Sequence, residues 1–209
     1  MRGMMNLTPD LITELSSYGS ATVYEAAGQR GAFTVRLEPL DSASVLVGPA
    51  YIVHCSPGDN AAIHRAIPAA APGDVLVVDA GGYLGAGHWG EVMTVAAQSR
   101  RIAGLVVNGA VRDRQAIVKL RFPVFARGLC ILAATKVSPR VPPKDSITLG
   151  NCLIRSGDIV VADVDGIVVI PSSRLQDVVE ASRVRVEREV HMMAALQEGK
   201  TTLEFFGLE

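Results

Sequence analysis

Cysteine is scarce in this sequence of 209 residues: Cys55, Cys130 and Cys152 are the whole supply, far apart and without a C-x-x-C spacing. That excludes a zinc ribbon, a thioredoxin-type redox pair and a disulfide scaffold, and it leaves buried thiols in a reducing compartment as the expectation. Excess charge of one sign is lacking too. Twenty Lys+Arg stand against 21 Asp+Glu, a formal net charge of -1 with both signs interspersed. No basic surface invites nucleic acid and no charge block marks a disordered tail. No window reaches the roughly 18 uninterrupted apolar residues of a membrane span, and MRGMMNLTPDLI has no apolar signal-peptide core. A soluble, cytoplasmic protein with neither a membrane nor a nucleic-acid partner is expected. No complete G-x-x-x-x-G-K-[S/T] phosphate loop occurs, which argues against nucleotide binding of the P-loop kind.

What the chain has is apolar residues, 49% of the total, enough for one sizeable core and a single domain over 1–209. Val- and Ile-rich runs bounded by glycine read as buried strands at 45–55, 74–80, 102–109, 122–128 and 158–171. Helical patterns lie between the early ones. One covers 60–67 after the turn Pro57-Gly58-Asp59, and another is the stripe Trp89, Val92, Met93 and Ala96. Such alternation predicts an α/β fold with a mainly parallel sheet. A first helix starts at Thr8-Pro9-Asp10, where a capping hydroxyl precedes a proline, and a second piece, ATVYEAAG, closes at Gly28. The longest helix, about 173–198, carries Leu175, Val179, Ser182, Val186, Val190 and Met193 at a period near 3.6. At 1.5 Å per residue it spans about 40 Å, long enough to project onto a neighbouring subunit. Residues 134–148, rich in Pro, Ser and Lys, read as a surface loop entering a short strand.

Two stretches carry chemistry. In LVVNGAVRDRQAI an apolar strand stops at Asn108-Gly109-Ala110 and presents Arg112 beside Asp113, at a strand end where ligands of open α/β sheets gather. Arginine offers planar donors to a carboxylate or enolate, and aspartate a hard oxygen to Mg2+ or Mn2+. The same dipeptide also fits an ordinary helix start, with Asp113 favouring the dipole and Arg112 solvated. The second stretch, DAGGYLGAGHWGEVMTVAA, leads through five glycines into a helix whose first amides, around Gly90, Glu91, Val92 and Met93, point at any bound anion. His88 lies beside them as a weaker substrate contact. His64 reads as structural, Arg127 as an aid to anion binding or half of an ion pair, and Asp163 and Asp165 as flanking a hairpin turn at 165–166.

GPAYIVHCSPGDNAAIHRAIPAAAPGDVLVVDAGGY, WGEVMTVAAQSRRIAGLVVNGAVRD, PVFARG and SGDIVVADVDGIVVIP together resemble the RraA-like family, from about Ser20 to Gly199, and GAVRD is the most specific part. This family includes class II pyruvate aldolases acting on 4-hydroxy-4-methyl-2-oxoglutarate and 4-carboxy-4-hydroxy-2-oxoadipate. The resemblance implies an α/β/β/α sandwich assembled as a homotrimer or homohexamer with sites between subunits. It also implies Mg2+ or Mn2+ as cofactor and a small oxo acid as partner. Arg112 would then be catalytic and contact the pyruvyl oxygen, Asp113 would ligate the metal, and the amides of Gly90, Glu91, Val92 and Met93 would hold the substrate carboxylate. Members place Asp with twenty residues between it and Arg-Asp, where this chain has Glu91; Asn108 replaces a frequent aspartate; Glu25 matches the family's acidic groups only loosely. The expected activity is retro-aldol cleavage to pyruvate with oxaloacetate decarboxylation through the same enolate. The other class of function in the family is a non-catalytic module that inhibits a ribonuclease.

Overall fold

Alternation of apolar side chains along the strands decides how the layers stack. The computed structural model describes residues 7–140 and 145–208. In chain order it runs α1 (Pro9–Ala26), β1 (Glu38–Pro39), β2 (Leu46–His54), α2 (Ala61–Ala69), β3 (Val75–Gly87), α3 (Glu91–Ser99), β4 (Gly104–Val111), α4 (Arg114–Lys119) and β5 (Val124–Leu129). Then come β6 (Ser146–Leu149), β7 (Cys152–Arg155), β8 (Ile159–Ala162), β9 (Ile167–Ile170), a 3-10 turn (Ser172–Arg174), α5 (Leu175–Gln197) and α6 (Thr202–Phe206). The main sheet has the order β1-β5-β4-β3-β2-β8-β9, and β6-β7 form a separate ribbon. Strands β2 to β5 are parallel, as expected, while β1, β8 and β9 pair antiparallel at the two edges.

Every second residue of β3, β4 and β5 faces one way. Leu76, Val78, Leu105, Val107 and Val124 pack against α2 and α3 through Ile63, Ile67 and Met93. The intervening Val75, Val77, Val106 and Phe125 face an inner core closed by Val160, Ala162, Ile167 and Val169 of β8–β9 and by the β6–β7 ribbon. The other face of β8–β9, Val161, Val168 and Ile170, meets Leu15 and Val23 of α1 and Leu175, Val178 and Val179 of α5. The result is the α/β/β/α layering expected from the sequence. These strictly alternating strands are buried on both sides, so a one-residue slip would exchange the two cores.

Several local expectations hold in detail. Thr8 Oγ1 accepts the Leu11 N–H and Pro9 opens α1. Gly19, at φ 78°, divides α1 in two. The second half is capped from across the molecule: Asp163 accepts the Ser20 N–H and Oγ–H, both at 2.6 Å. The run 158–171 is a hairpin, β8–β9, turned at Asp163–Gly166, as the Asp-Gly signal there suggested. All three cysteines are free, and burial pushes the Cys55 thiol up to about 12. Among the described residues no helix is long and apolar enough to cross a membrane.

Two expectations are corrected. β3 does not stop at Ala80 but runs through the glycines to Gly87, with bulges where Tyr83 pairs with Gly109 and Gly87 with Ala110. Val92 is 81% exposed, because α3 begins only at Glu91 and turns Met93, Thr94 and Ala97 inward; Trp89, Met93 and Ala96 of the expected stripe do face the core, Ala96 half-buried. The 134–148 stretch is the expected surface loop, with Thr135, Lys136 and Val137 exposed and β6 following at Ser146; its Thr135 hydroxyl and Val137 amide are tied to Asp59 at the start of α2, and 141–144 lie outside the described residues.

Candidate active site

The extension of β3 carries the chain beside the end of β4, where His88 N–H bonds Ala110 O at 2.8 Å and Arg112 N–H bonds Trp89 O at 2.9 Å, while Gly87 N–H bonds Leu132 O, beyond β5, at 2.8 Å. Asp113 follows in the left-handed region, φ 60°, a conformation that aspartate tolerates better than most residues but still at a cost. It occupies the cap position of α4 yet makes no side-chain bond to α4. Its carboxylate turns back instead, and Oδ2 accepts the Glu91 N–H at 3.1 Å in the first turn of α3. Arg112 Nε lies 3.6 Å from the same oxygen, with both side chains about 40% exposed (43% and 40%). The approach is so close that a Cβ on Gly90 would stand 2.4 Å from Asp113 Oδ2, and one on Gly87 2.6 Å from Cys130 O. Glycine is required at both places for proximity, since Gly90 itself has ordinary extended backbone, φ -163°.

Behind this edge lies a buried polar support. His88 is fully buried; its Nδ1 donates to Ala110 O at 3.2 Å and its Nε2 accepts the Gly58 N–H at 3.1 Å. That pair of bonds requires the neutral ring, and burial pulls the histidine below its usual value. Asn60, also buried, donates to His88 O at 3.0 Å, while its Oδ1 has no hydrogen-bond partner. Such an orphan is uncommon in a folded chain.

Arg112 and Asp113 open onto a cleft of about 210 Å³ lined also by Asn60, His64, Gly90 and Lys136. One carboxylate therefore faces a lining that is otherwise cationic or neutral. Gly90, Glu91, Arg112 and Asp113 are brought together as the sequence suggested. The Glu91 amide, however, is already engaged by Asp113. Val92 and Met93 also line the cleft, although Met93 is mostly buried and its Sδ accepts from Asn60. His88 does not reach the cleft, and its role is to brace it. Glu25 pairs with Arg185 between α1 and α5, away from this cleft, and Arg127 lies against Gly82 rather than in the cleft lining. His64 and Lys136 were not anticipated as site residues. His64 sits on α2, and Lys136 enters through the bridge between Asp59 and Thr135, which no local pattern announces.

A divalent cation can be tested against this donor set. Among the described residues no three His, Cys, Asp or Glu side chains converge as a cage. A single half-exposed carboxylate, fixed by a backbone amide in a cradle that a Gly90 side chain would fill, suits a hard ion that keeps most of its waters, as Mg2+ does.

A family model described as Aldolase/RraA matches residues 17–169. The chain belongs to the RraA-like family. A Halalkalibacterium halodurans protein provisionally named 4-hydroxy-4-methyl-2-oxoglutarate aldolase is 36% identical over 177 residues, covering 83% of this chain and 82% of its own length. The solved structure of Streptomyces coelicolor RraAS2, described as an unusual member of the RNase ES inhibitor RraA protein family, matches with a TM-score of 0.79 at 27% identity, over 90% of this chain and 98% of that one. An uncharacterised Pseudomonas syringae protein has a TM-score of 0.83 at 23% identity, over 95% and 97% of the two chains, and shares the fold. The RraA-like match includes every residue that lines the Arg112–Asp113 cleft and ends before α5.

Proposed function

We propose that this RraA-like protein is a divalent-metal-dependent carbon–carbon lyase. It would cleave a 4-hydroxy-2-oxo di- or tricarboxylic acid to pyruvate and a second oxo acid, and decarboxylate oxaloacetate through the same enolate. One observation carries the reading: Asp113 turned away from its own helix and held by the Glu91 amide, with Arg112 beside it, in a cleft whose other charged groups are cationic. The aldolase name of the Halalkalibacterium relative supports it.

Asp113 would hold the Mg2+ or Mn2+, which when bound supplies Lewis-acid stabilisation of the negative charge that develops on the pyruvyl oxygen. Arg112 donates to that same oxygen as charge develops, a contribution that grows from ground state to transition state. The first-turn amides of α3 at Gly90, Val92 and Met93 receive the C1 carboxylate. Lys136 and His64, which line the same cleft, meet the far carboxylate of the acid, so the site should favour di- and tricarboxylic acids over monocarboxylic ones. Cleavage of C3–C4 leaves its electron pair on the pyruvyl half as the enolate, the C4 hydroxyl gives its proton to a water in the cleft as it becomes the carbonyl of the second product, and the enolate then takes a proton at C3 from water to become pyruvate. Loss of CO2 from oxaloacetate leaves the same enolate.

We also read the protein as a homotrimer or homohexamer. Beyond Ser182, α5 buries no residue, and Val190 and Met193 are exposed. Leu129, Ile131 and Leu132 stand exposed next to Arg112, a position suited to a subunit contact at the edge of the site.

The test is pyruvate release from 4-hydroxy-4-methyl-2-oxoglutarate, 4-carboxy-4-hydroxy-2-oxoadipate and oxaloacetate, coupled to lactate dehydrogenase, with Mg2+, Mn2+ or EDTA. Release that EDTA stops is expected. Asp113→Ala should abolish metal activation with the fold intact, and Arg112→Ala should lower kcat by about 10²–10³. Near wild-type turnover in Asp113→Ala would overturn the assignment. Borohydride with pyruvate should leave the chain mass unchanged, since Lys136 is not assigned a Schiff base. No release from any acid would favour the second reading, a ribonuclease-inhibiting module, which rests on the likeness to RraAS2.

A further inference from the structure

Asp59 is a buried acid that the chemistry above leaves unused. It is 4% exposed, and four donors surround it. Oδ1 accepts the Ala61 N–H at 2.9 Å, and Oδ2 accepts Thr135 Oγ1–H and Val137 N–H, both at 2.7 Å, and Ser138 N–H at 3.3 Å. Burial alone would raise its pKa, but the amide of Ala61, the Thr135 hydroxyl and the amides of Val137 and Ser138 outweigh it and hold the carboxyl well below the usual range. The group is a charged staple between two segments far apart in sequence. One is the start of α2, which carries His64 one turn on. The other is 135–138, in which Lys136 stands between two residues that both bond to Asp59. Two backbone bonds run alongside, from Asn60 N–H to Thr135 O and from Thr135 N–H to Gly58 O, and Arg65 of α2 donates to Ser138 O at 2.8 Å and to Pro139 O at 3.4 Å.

We propose that Asp59 is a positioning residue of the cleft: its carboxylate clamps the start of α2 to residues 135–138 and thereby sets where His64 and Lys136 meet the far carboxylate of a bound dicarboxylic acid. This rests on the reading of the cleft as an oxo-acid site. Groups that orient a contacting residue commonly matter for affinity although they touch no ligand.

Asp59→Asn keeps the shape but puts an NH2 donor where an acceptor oxygen stood, so whichever way the amide turns it confronts at least one N–H. Calorimetry in Mg2+ would compare malate, which has a far carboxylate, with oxalate, which does not, and amide hydrogen exchange would follow 133–140. Asp59→Asn should weaken malate about tenfold and oxalate less than twofold, with faster exchange in 133–140 and unchanged exchange in β3 and β4. In a Lys136→Ala background the same substitution should add less than twofold, as coupling through Lys136 requires. If Asp59→Asn does not fold, Thr135→Val removes one donor only and should weaken malate about threefold. Faster exchange with unchanged malate affinity would reduce Asp59 to a structural role, and unchanged exchange, or a wild-type protein that binds no malate, would overturn the proposal. A wild type that binds malate but releases no pyruvate would defeat the lyase reading while leaving this one standing.

Discussion

The two helical faces of this molecule are held by opposite means. On the α3–β4 side the Arg112–Asp113 edge is fixed by backbone: amide to carboxylate from Glu91, amide to carbonyl at Arg112 and Gly87, and glycines where no Cβ fits. On the α1–α5 side an apolar seam, Leu15 and Val23 against Leu175 and Val179, is overlaid by partly exposed ion pairs, Arg183 with Glu14 and Glu180, and Arg185 with Glu25 and Glu189. Backbone contacts leave little room for adjustment, whereas side-chain ion pairs in solvent re-form, exchange partners or disappear at small cost. The face that carries the proposed site is therefore the more tightly fixed one, and the other provides stability without precision.

The largest effect that would sharpen this contrast is at Gly90. Its backbone is extended, so alanine brings no conformational strain, and the harm is confined to the 2.4 Å approach to Asp113 Oδ2 and the 3.3 Å approach to Arg112 Cγ. The carboxylate must move. Displacements near 1 Å at a catalytic group cost about 10² in rate, so Gly90→Ala should lower kcat/KM about 100-fold while the melting temperature falls by only a few degrees. Equal losses in a substitution on the α1–α5 face would erase the distinction.

A middle-sized effect belongs to His88. Its neutral ring joins Gly58 to Ala110, and burial, partly offset by the bond to Ala110, lowers its pKa from the usual 6.5. The folded state thus binds fewer protons than the unfolded chain near that value. The stabilisation is present above pH 6.5 and is lost as pH falls below it. His64, lowered by burial and by Lys136, adds in the same direction. Thermal melts should drop by several degrees between pH 7 and pH 5, and the drop should shrink in His88→Gln even though that variant starts from a lower melting temperature. A full-sized drop in the variant would show that His88 does not couple to folding.

Much of this was legible before any coordinates, for identifiable reasons. Val75 to Val78 and Ile167 to Ile170 alternate between two buried faces, and apolar runs bounded by glycine expose that directly. Arg112 and Asp113 do stand together just past the end of β4, the place in open α/β sheets to which the sequence pattern pointed. The run of β3 to Gly87 was hidden, because glycines have poor strand propensity and here take their regularity from β4 across two bulges. The reach of Asp113 back over 22 residues to the Glu91 amide depends on one left-handed backbone angle. His64 and Lys136 line one cleft across bonds between distant segments, among them Thr135 to Asp59, 76 residues away. Sequence spacing speaks to neighbours on one element; it is silent on clamps between elements.

The smallest effect is expected where the contact looks strongest. Arg183 grips both carboxylate oxygens of Glu14, Nε at 2.5 Å and Nη2 at 2.9 Å, and Tyr18 also donates to Glu14. The Arg183 hydrogen bond first, then that of Tyr18, lowers the Glu14 pKa, while burial first, then the bond to Glu14, pushes Tyr18 up to about 12. Worked through, the Glu14 contribution is present above about pH 4.5 and fades as the carboxyl protonates below it, and the Tyr18 contribution fades only as pH rises past about 10. At neutral pH the cluster is therefore fully formed, yet the side chains of Arg183 and Glu14 remain 47% and 23% exposed. Solvent screens such a pair, and ordering two long side chains offsets much of the attraction. Arg183→Met should lower the melting temperature by no more than about 2 °C in low salt and by an amount too small to detect in 0.5 M NaCl, because Leu15, Val23, Leu175 and Val179 keep the helices together without it. A fall above about 5 °C, unchanged by salt, would mean that this face too is held by a contact without substitutes, and the two sides of the molecule would no longer differ in kind.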